Sequence, residues 1–311
     1  MEEEEKSFIS LFEEFKRKGE PLLKELSEIR KSVVFPLLFH SQASIAPWCI
    51  SPIYDSISKV KSRLEKGENL DIILFSTGGD ADTASHIAKM FHRVTKGILT
   101  FIVPRIATSA ATLLTFAGNK ILMSPPSELS PIDPQIEISP GRFVSARSLR
   151  ETLDLFMKLA EHPNISRSTI EAFLQTSPIA EVVDYERLLA HTEELAVELL
   201  KLRMVKDETK AKEIAKKFVK EFKYHGRAIT IDDCIAFGLN VEEISEEEWK
   251  PVWEFSKLWE TIIFLIRAKP GSELKALEIG NGVAFIPMER AEETEEERSL
   301  VDTLCRLGIS K

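Results

Sequence analysis

The chain has 311 residues, 43% of them hydrophobic and 29% charged, with a formal net charge of -9; this suits one large domain with appendages or two domains, and argues against a nucleic-acid partner, which needs a basic face. Cys49, Cys234 and Cys305 are odd in number, far apart and in no CxxC spacing, which suggests neither a disulfide framework nor a zinc site and reads as reduced thiols in a cytoplasm. The N-terminus, MEEEEKSF, is acidic where a signal peptide is basic, and the longest apolar runs (Val33 to Phe39, Thr261 to Ile266) fall short of the roughly 18 to 20 residues of a membrane span. A soluble cytoplasmic protein is expected, with peripheral membrane association left open.

In chain order, Phe8, Leu11, Phe12, Phe15, Leu22, Leu23, Leu26 and Ile29 keep helical spacing, interrupted at Gly19-Glu20-Pro21. Two N-terminal helices (1–31) are predicted, with Pro21 in a first turn. They pack on their own domain or on an oligomer partner. Ser32 to Phe39 reads as a first strand, followed by an irregular stretch and a helix from about Pro52 to Glu65.

Three short apolar runs follow: Asp71 to Phe75, Leu99 to Val103 and Lys120 to Met123. Each is continuous rather than alternating, the pattern of a buried parallel strand. Each ends in a distinctive loop: Gly78-Gly79, Thr108-Ser109-Ala110, and Ser130 to Gln135. Ligands in open α/β sheets bind at such strand ends, so three loops imply one site. Between the first two strands, Thr83 to Lys96 carries Ile87, Met90, Phe91 and Val94 on one helical face. His86 and His92 are six apart on it, which is not a metal-ligand spacing, and a surface role is expected for both. No metal site and no cofactor are expected.

From Ser145 to Phe222 the pattern is helical, with segments at Ala146–Glu161, Ser168–Leu174, Ile179–Val205 and Asp207–Phe222, the last capped by Asp207. This is a helical arm (145–225) inserted after a core of residues 32–144. Its leucines at 188, 189, 195, 199, 200 and 202 bury against the core or against a second subunit. Residues 226–244 complete the core: Thr230 and Asp233 have capping-box spacing, a helix runs from Ile231 to Phe237, and a last strand covers Leu239 to Val241. A helix opening at Ser245, a hairpin around Asn281-Gly282 and a final helix from Arg298 to Leu307 then make a small α+β appendage (245–311). The fold class is α/β, a parallel sheet with flanking helices.

Ser109 lies at a strand-to-helix junction, where amide groups favour developing negative charge and Ala107, Ala110 and Ala111 leave room for a substrate carbonyl. The bland alternative is a simple N-cap. Gly78 and Gly79 let backbone approach a ligand or aim N–H groups into a cleft, as in an oxyanion hole. A phosphate cradle is the competitor, but neither GxGxxG nor GxxxxGK[ST] is present.

Taken together, STGGDAD after a strand, ATSAAT some thirty residues on, SELSPIDPQ a further twenty on and the later YHGRAITIDDCIAFGLNV resemble the serine dehydrogenase proteinase family of the Clp protease and crotonase fold group. The likeness spans about Ser32 to Val241. It implies a Clp/crotonase-like core, Ser109 as nucleophile, Gly78 and Gly79 as oxyanion-loop residues, Ala110 as a second backbone donor, and Ser130 to Gln135 as a cleft wall. It also implies a peptide or protein substrate, ATP-independent hydrolysis through an acyl-enzyme, and a homo-oligomer.

The general base departs from the family pattern. Where Clp proteases carry a histidine in the third loop, this chain has Asp133. Signal peptide peptidase relatives use a lysine after that loop, but the helix start here offers Arg147, Ser148 and Arg150, none an easily deprotonated amine. The open candidates are Lys158, with a pKa lowered by burial, and His225, oriented by Asp133. Otherwise the base comes from a neighbouring subunit or is absent. The rival functions are a non-catalytic peptide- or protein-binding scaffold and a crotonase-type acyl-thioester enzyme, which would need an adenine-nucleotide pocket for which the sequence has no signal.

Overall fold

The computed structural model describes residues 2–139, 142–161, 166, 168, 171–172, 179–222, 224, 226–266 and 273–288. The expected helix at Arg298–Leu307, and most of that at Ser168–Leu174, lie outside them.

The chain opens with one helix, α1 (Glu2–Arg30), rather than two; Pro21 lies inside it. Packing overrides the local break. Gly19 sits against the Phe255 ring, which a Cβ there would approach to 3.0 Å, and Phe12, Phe15, Leu23 and Leu26 are buried on both sides of the Gly19-Pro21 step. Next come β1 (Ser32–Phe39), α2 (Ile50–Ser58), α3 (Lys61–Glu65), β2 (Asn69–Phe75), α4 (Ala81–Val94), β3 (Leu99–Ile102), β4 (Ile106–Ala107), α5 (Ala110–Thr115), β5 (Lys120–Met123) and β6 (Glu128–Leu129). The hairpin β7 (Gln135–Ser139) and β8 (Arg142–Ser145) then leads into α6 (Ala146–Ala160), α7 (Ile179–Arg203) and α8 (Glu208–Lys216). The chain returns through α9 (Ile231–Ala236), β9 (Val241–Glu243), α10 (Glu246–Leu265), β10 (Glu273–Ile279) and β11 (Gly282–Met288).

Seven strands form one sheet in the order β10-β11-β1-β2-β3-β5-β9, parallel throughout except for β10 at one edge. Every residue of β1 is buried because both faces are covered. Val33, Phe35, Leu37 and Phe39 point into a core shared with α2, α4, α5 and α7, whereas Val34 and Leu38 meet α1 and α10. The C-terminal hairpin is therefore part of this sheet. β11 pairs directly with β1, so residues 273–288 extend the core that the sequence placed at 32–144. Pro36 is tolerated in a central strand because it lies against the start of β11, where Gly282 has no side chain; a Cβ there would lie 2.0 Å from the Pro36 carbonyl oxygen.

Beyond the C-terminal ends of β2, β3 and β5 the chain builds a second, small layer: Ser76 bridges Ala107 of β4, β4 pairs with β6, and Leu129 of β6 bridges Ile229. In the arm, Leu189, Leu195, Leu199 and Leu200 of α7 bury in the same cluster as α4 and α5, so these leucines cover their own core. Arg203 fixes the end of α7. Its guanidinium donates to the Gly97 carbonyl (2.8 Å), Asn119 Oδ1 (3.0 Å) and the Thr95 carbonyl, and its Nε donates to His92 Nδ1 at 3.0 Å. His92 is thus an acceptor in a half-buried cluster rather than a surface residue, because α7 closes over it; His86 is exposed as expected. No described helix is long and apolar enough to cross a membrane.

Candidate active site

Three strand-end loops meet where the sequence placed them. In the first, β2 ends at Phe75 and the chain turns past Ser76 through Gly78 and Gly79, at φ 104° and 148°, into α4. Asp80 caps that helix, accepting the Thr83 N–H at 2.7 Å. Both glycines are required by contact as well as by φ. A Cβ on Gly78 would lie 2.6 Å from the Thr108 carbonyl oxygen and 2.8 Å from Ser109 Cβ, and one on Gly79 would lie 2.2 Å from the Ile45 carbonyl oxygen. Ile45, in the irregular stretch after β1, holds the loop from behind: its N–H donates to the Gly78 carbonyl (2.8 Å), and its carbonyl accepts from the Asp80 N–H (2.7 Å).

In the second loop, Ser109 takes φ 55° and ψ -120°, a conformation that costs a non-glycine residue about 1–3 kcal/mol. It precedes α5 but does not cap it: Ser109 makes no side-chain cap bond, and its Oγ has no partner among the described residues. The plain N-cap alternative is therefore removed. The Ala110 N–H, at the first position of α5, likewise has no acceptor among the described residues. The Gly78 N–H donates to Ser76 Oγ at 3.1 Å, whereas no acceptor meets the Gly79 N–H among the described residues.

The third loop braces the second. Ser130, 4% exposed, accepts the Ser109 N–H on its Oγ at 2.7 Å and donates from it to the Pro131 carbonyl at 3.0 Å. The Ser130 N–H donates to Thr112 Oγ1 (3.0 Å), which donates to the Ala107 carbonyl (2.7 Å). Sequence reasoning missed Ser76, Thr112 and this role of Ser130. Ser76 had a local signal, a hydroxyl two residues before a glycine in a turn; Ser130 had none, since its partner is 21 residues away.

A cavity of about 260 Å³ opens beside Ser109, lined by Thr77, Thr108, Glu128, Leu129, Ser130 and Arg227 among others. Its two charges are internally matched. Glu128 lies 3.7 Å from Arg105, and Arg227 lies 3.3 Å from Asp233 and over the Phe222 ring. The charged side chains at its rim are therefore paired and leave no net sign there.

The base candidates fare differently. Asp133 is buried between β6 and β7, in a segment tied to the end of the arm by the Ile132 N–H to Phe218 carbonyl bond (2.9 Å). Lys158 is exposed in the last turn of α6, among the exposed apolar side chains of Leu155, Met157 and Leu159. His225 lies outside the described residues. Among the described residues no cluster of His, Cys, Asp and Glu could hold a metal. Burial pushes the thiols of Cys49 and Cys234 up to about 12, which leaves them unreactive at neutral pH.

The chain was compared with known proteins. Two uncharacterized proteins of Methanocaldococcus jannaschii are similar to it. One is 27% identical over 244 residues, covering 76% of this chain and 77% of its own length; the other is 27% identical over 191 residues, covering 61% and 56%. Among solved structures, two mutants of the 1510-N membrane-bound stomatin-specific protease, one in complex with a substrate peptide, align at 17% identity with TM-scores of 0.41 and 0.42. They cover 69% of this chain and 80% and 76% of theirs. Residues 11–264 match the model of the ClpP-like SDH-type serine proteinases, and the chain belongs to that family.

Proposed function

We propose that this protein is a peptidase that cleaves peptide bonds without ATP, through an acyl-enzyme on Ser109. The observation that carries this reading is the Ser109 turn. Its hydroxyl is held on a strained backbone, is not used as a helix cap, and stands against a glycine loop whose Gly79 N–H has no acceptor among the described residues. In this reading Ser109 Oγ attacks the scissile carbonyl, and the Ala110 N–H and the Gly78-Gly79 loop receive the oxyanion. The Gly78 N–H would exchange its 3.1 Å bond to Ser76 Oγ for the stronger charge-assisted one. The cavity beside Ser109 takes the neighbouring part of the peptide.

The base is assigned to Lys158 or to His225, with Asp133 orienting the latter. A lysine base is one withdrawn from water, and exposed Lys158 would gain that withdrawal if a second copy of the chain covered α6. Homo-oligomerisation is part of the proposal for this reason. The specific rival is a cleft that binds a peptide without cutting it, favoured by the absence of a base against Ser109 Oγ among the described residues.

A fluorogenic peptide library and a denatured protein substrate, assayed without nucleotide, test the reading. Turnover that is lost in Ser109→Ala supports it. Peptide binding by fluorescence anisotropy with no turnover in the parent supports the scaffold instead. Lys158→Ala and His225→Ala then identify the base, since the variant retaining the parent rate is excluded.

A further inference from the structure

We propose that Ser130 is a positioning residue for Ser109, and that the third loop serves the chemistry by fixing the nucleophile's backbone rather than by supplying a base. The inference rests on the reading of Ser109 as nucleophile.

A serine at φ 55°, ψ -120° stays there only where its surroundings hold it. The glycine loop supplies room, because Gly78 has no Cβ to strike Ser109 Cβ. Room alone does not hold the turn. The peptide that enters Ser109 is held at both ends: its carbonyl, that of Thr108, accepts from the Ala111 N–H (3.0 Å), and its N–H donates to Ser130 Oγ at 2.7 Å, the one of these two bonds that reaches the third loop, on a buried residue. Ser130 is itself fixed at both ends: its hydroxyl proton goes to the Pro131 carbonyl, and its N–H goes to Thr112 Oγ1, anchored on the Ala107 carbonyl of β4. The chain of bonds runs from the strand before the nucleophile, through α5, to the third loop and back to the nucleophile.

It also decides which N–H groups face the substrate. With the Ser109 N–H satisfied by Ser130, the next one along, that of Ala110, is left for the oxyanion. Losing the Ser130 hydroxyl would release the Ser109 peptide toward an ordinary conformation, rotating Oγ and the Ala110 N–H out of register together. Misplacement of that size costs roughly 10- to 100-fold in rate.

Ser127 provides the control. It is as buried, its Oγ also accepts a backbone N–H (Ser124, 2.9 Å) and donates to a carbonyl (Val103, 2.6 Å), and it does not touch Ser109. Ser130→Ala and Ser127→Ala should melt at similar temperatures. A fluorophosphonate probe should label Ser109 roughly 10 to 100 times more slowly in Ser130→Ala alone, with kcat falling and KM near the parent value. Equal labelling rates in the two variants overturn the inference while leaving the peptidase reading intact. A parent that does not label at all removes both. Should Ser130→Ala not fold, amide hydrogen exchange of the parent decides: a protected Ser109 N–H supports the bond, and an N–H exchanging like a free loop amide overturns it.

Discussion

Gly78 and Ser109 depend on each other at the level of single atoms. Any side chain at 78 enters the volume of Ser109 Cβ and the Thr108 carbonyl, at 2.8 and 2.6 Å, and does so at φ 104°. Gly78→Ala is expected to reduce fluorophosphonate labelling of Ser109 by more than roughly 100-fold with the far-ultraviolet circular dichroism of a folded chain. Labelling at the parent rate would contradict the contact. His92 gives a second prediction at this scale. Burial, and then the charges of Arg203 and Lys96, hold its imidazole below the usual range; burial does the same to His40. The unfolded chain therefore takes up these protons at a higher pH than the folded one. The stability that these two neutral histidines contribute is present above the ordinary histidine pKa of about 6.5 and is lost as pH falls below it. His92→Gln keeps an acceptor for Arg203 and removes one titration, so its melting temperature should drop less between pH 7 and 5 than the parent's; equal drops would contradict this. The three loops were legible only in combination, because a serine before a helix is by itself usually an N-cap and a glycine pair after a strand usually a plain turn. The bond from the Ser109 N–H to Ser130 Oγ was not, since it exists only once β4 and β6 pair.

At the scale of elements, helix starts were readable because caps are local: Asp207 caps α8, and Thr230 and Ser245 open α9 and α10 with reciprocal capping boxes. The joint between α1 and the sheet was not, because its partners are scattered in sequence. Arg30, at the end of α1, makes two bonds to the buried carboxylate of Asp71 (2.6 and 3.0 Å) and one to Glu248 of α10 (2.5 Å), and Ser32 Oγ donates to the same Asp71. Replacing Arg30 with Met leaves the buried Asp71 carboxylate without its counter-charge, with the Ser32 hydroxyl still donating to it, which is expected to cost about 3–5 kcal/mol in urea unfolding. A loss below about 1 kcal/mol would mean that the joint is not a unit. On α6, Leu155 and Leu159 share a face and are 58% and 46% exposed. If a second copy covers that face, the double variant Leu155→Glu, Leu159→Glu should sediment as a folded monomer where the parent is larger. An unchanged sedimentation coefficient would move the interface elsewhere.

For the whole molecule, the parallel order of the central strands followed from their continuous apolar runs, but the reach of the sheet did not. The Asn281-Gly282 signal located a hairpin correctly, with Ile279 opposite Gly282, and nothing in it says which strand the hairpin joins. Only the paired structure shows β11 beside β1, with Ile279, Val283, Phe285 and Ile286 buried. A chain ended at Ile266 would bare an edge of β1 and is expected to be insoluble or unfolded, whereas a true appendage would leave a soluble core; expression and solubility of that truncation distinguish the two. The same sheet carries three loops to one place, and the proposed reaction rests on one hydroxyl. The direct measurement is to treat the folded parent with a fluorophosphonate between pH 6 and about 10, a window spanning histidine and lysine titration, and to locate the adduct by mass spectrometry. A single adduct on Ser109, absent from Ser109→Ala, is the predicted result; a folded protein carrying no adduct at any pH in that range contradicts a nucleophilic Ser109.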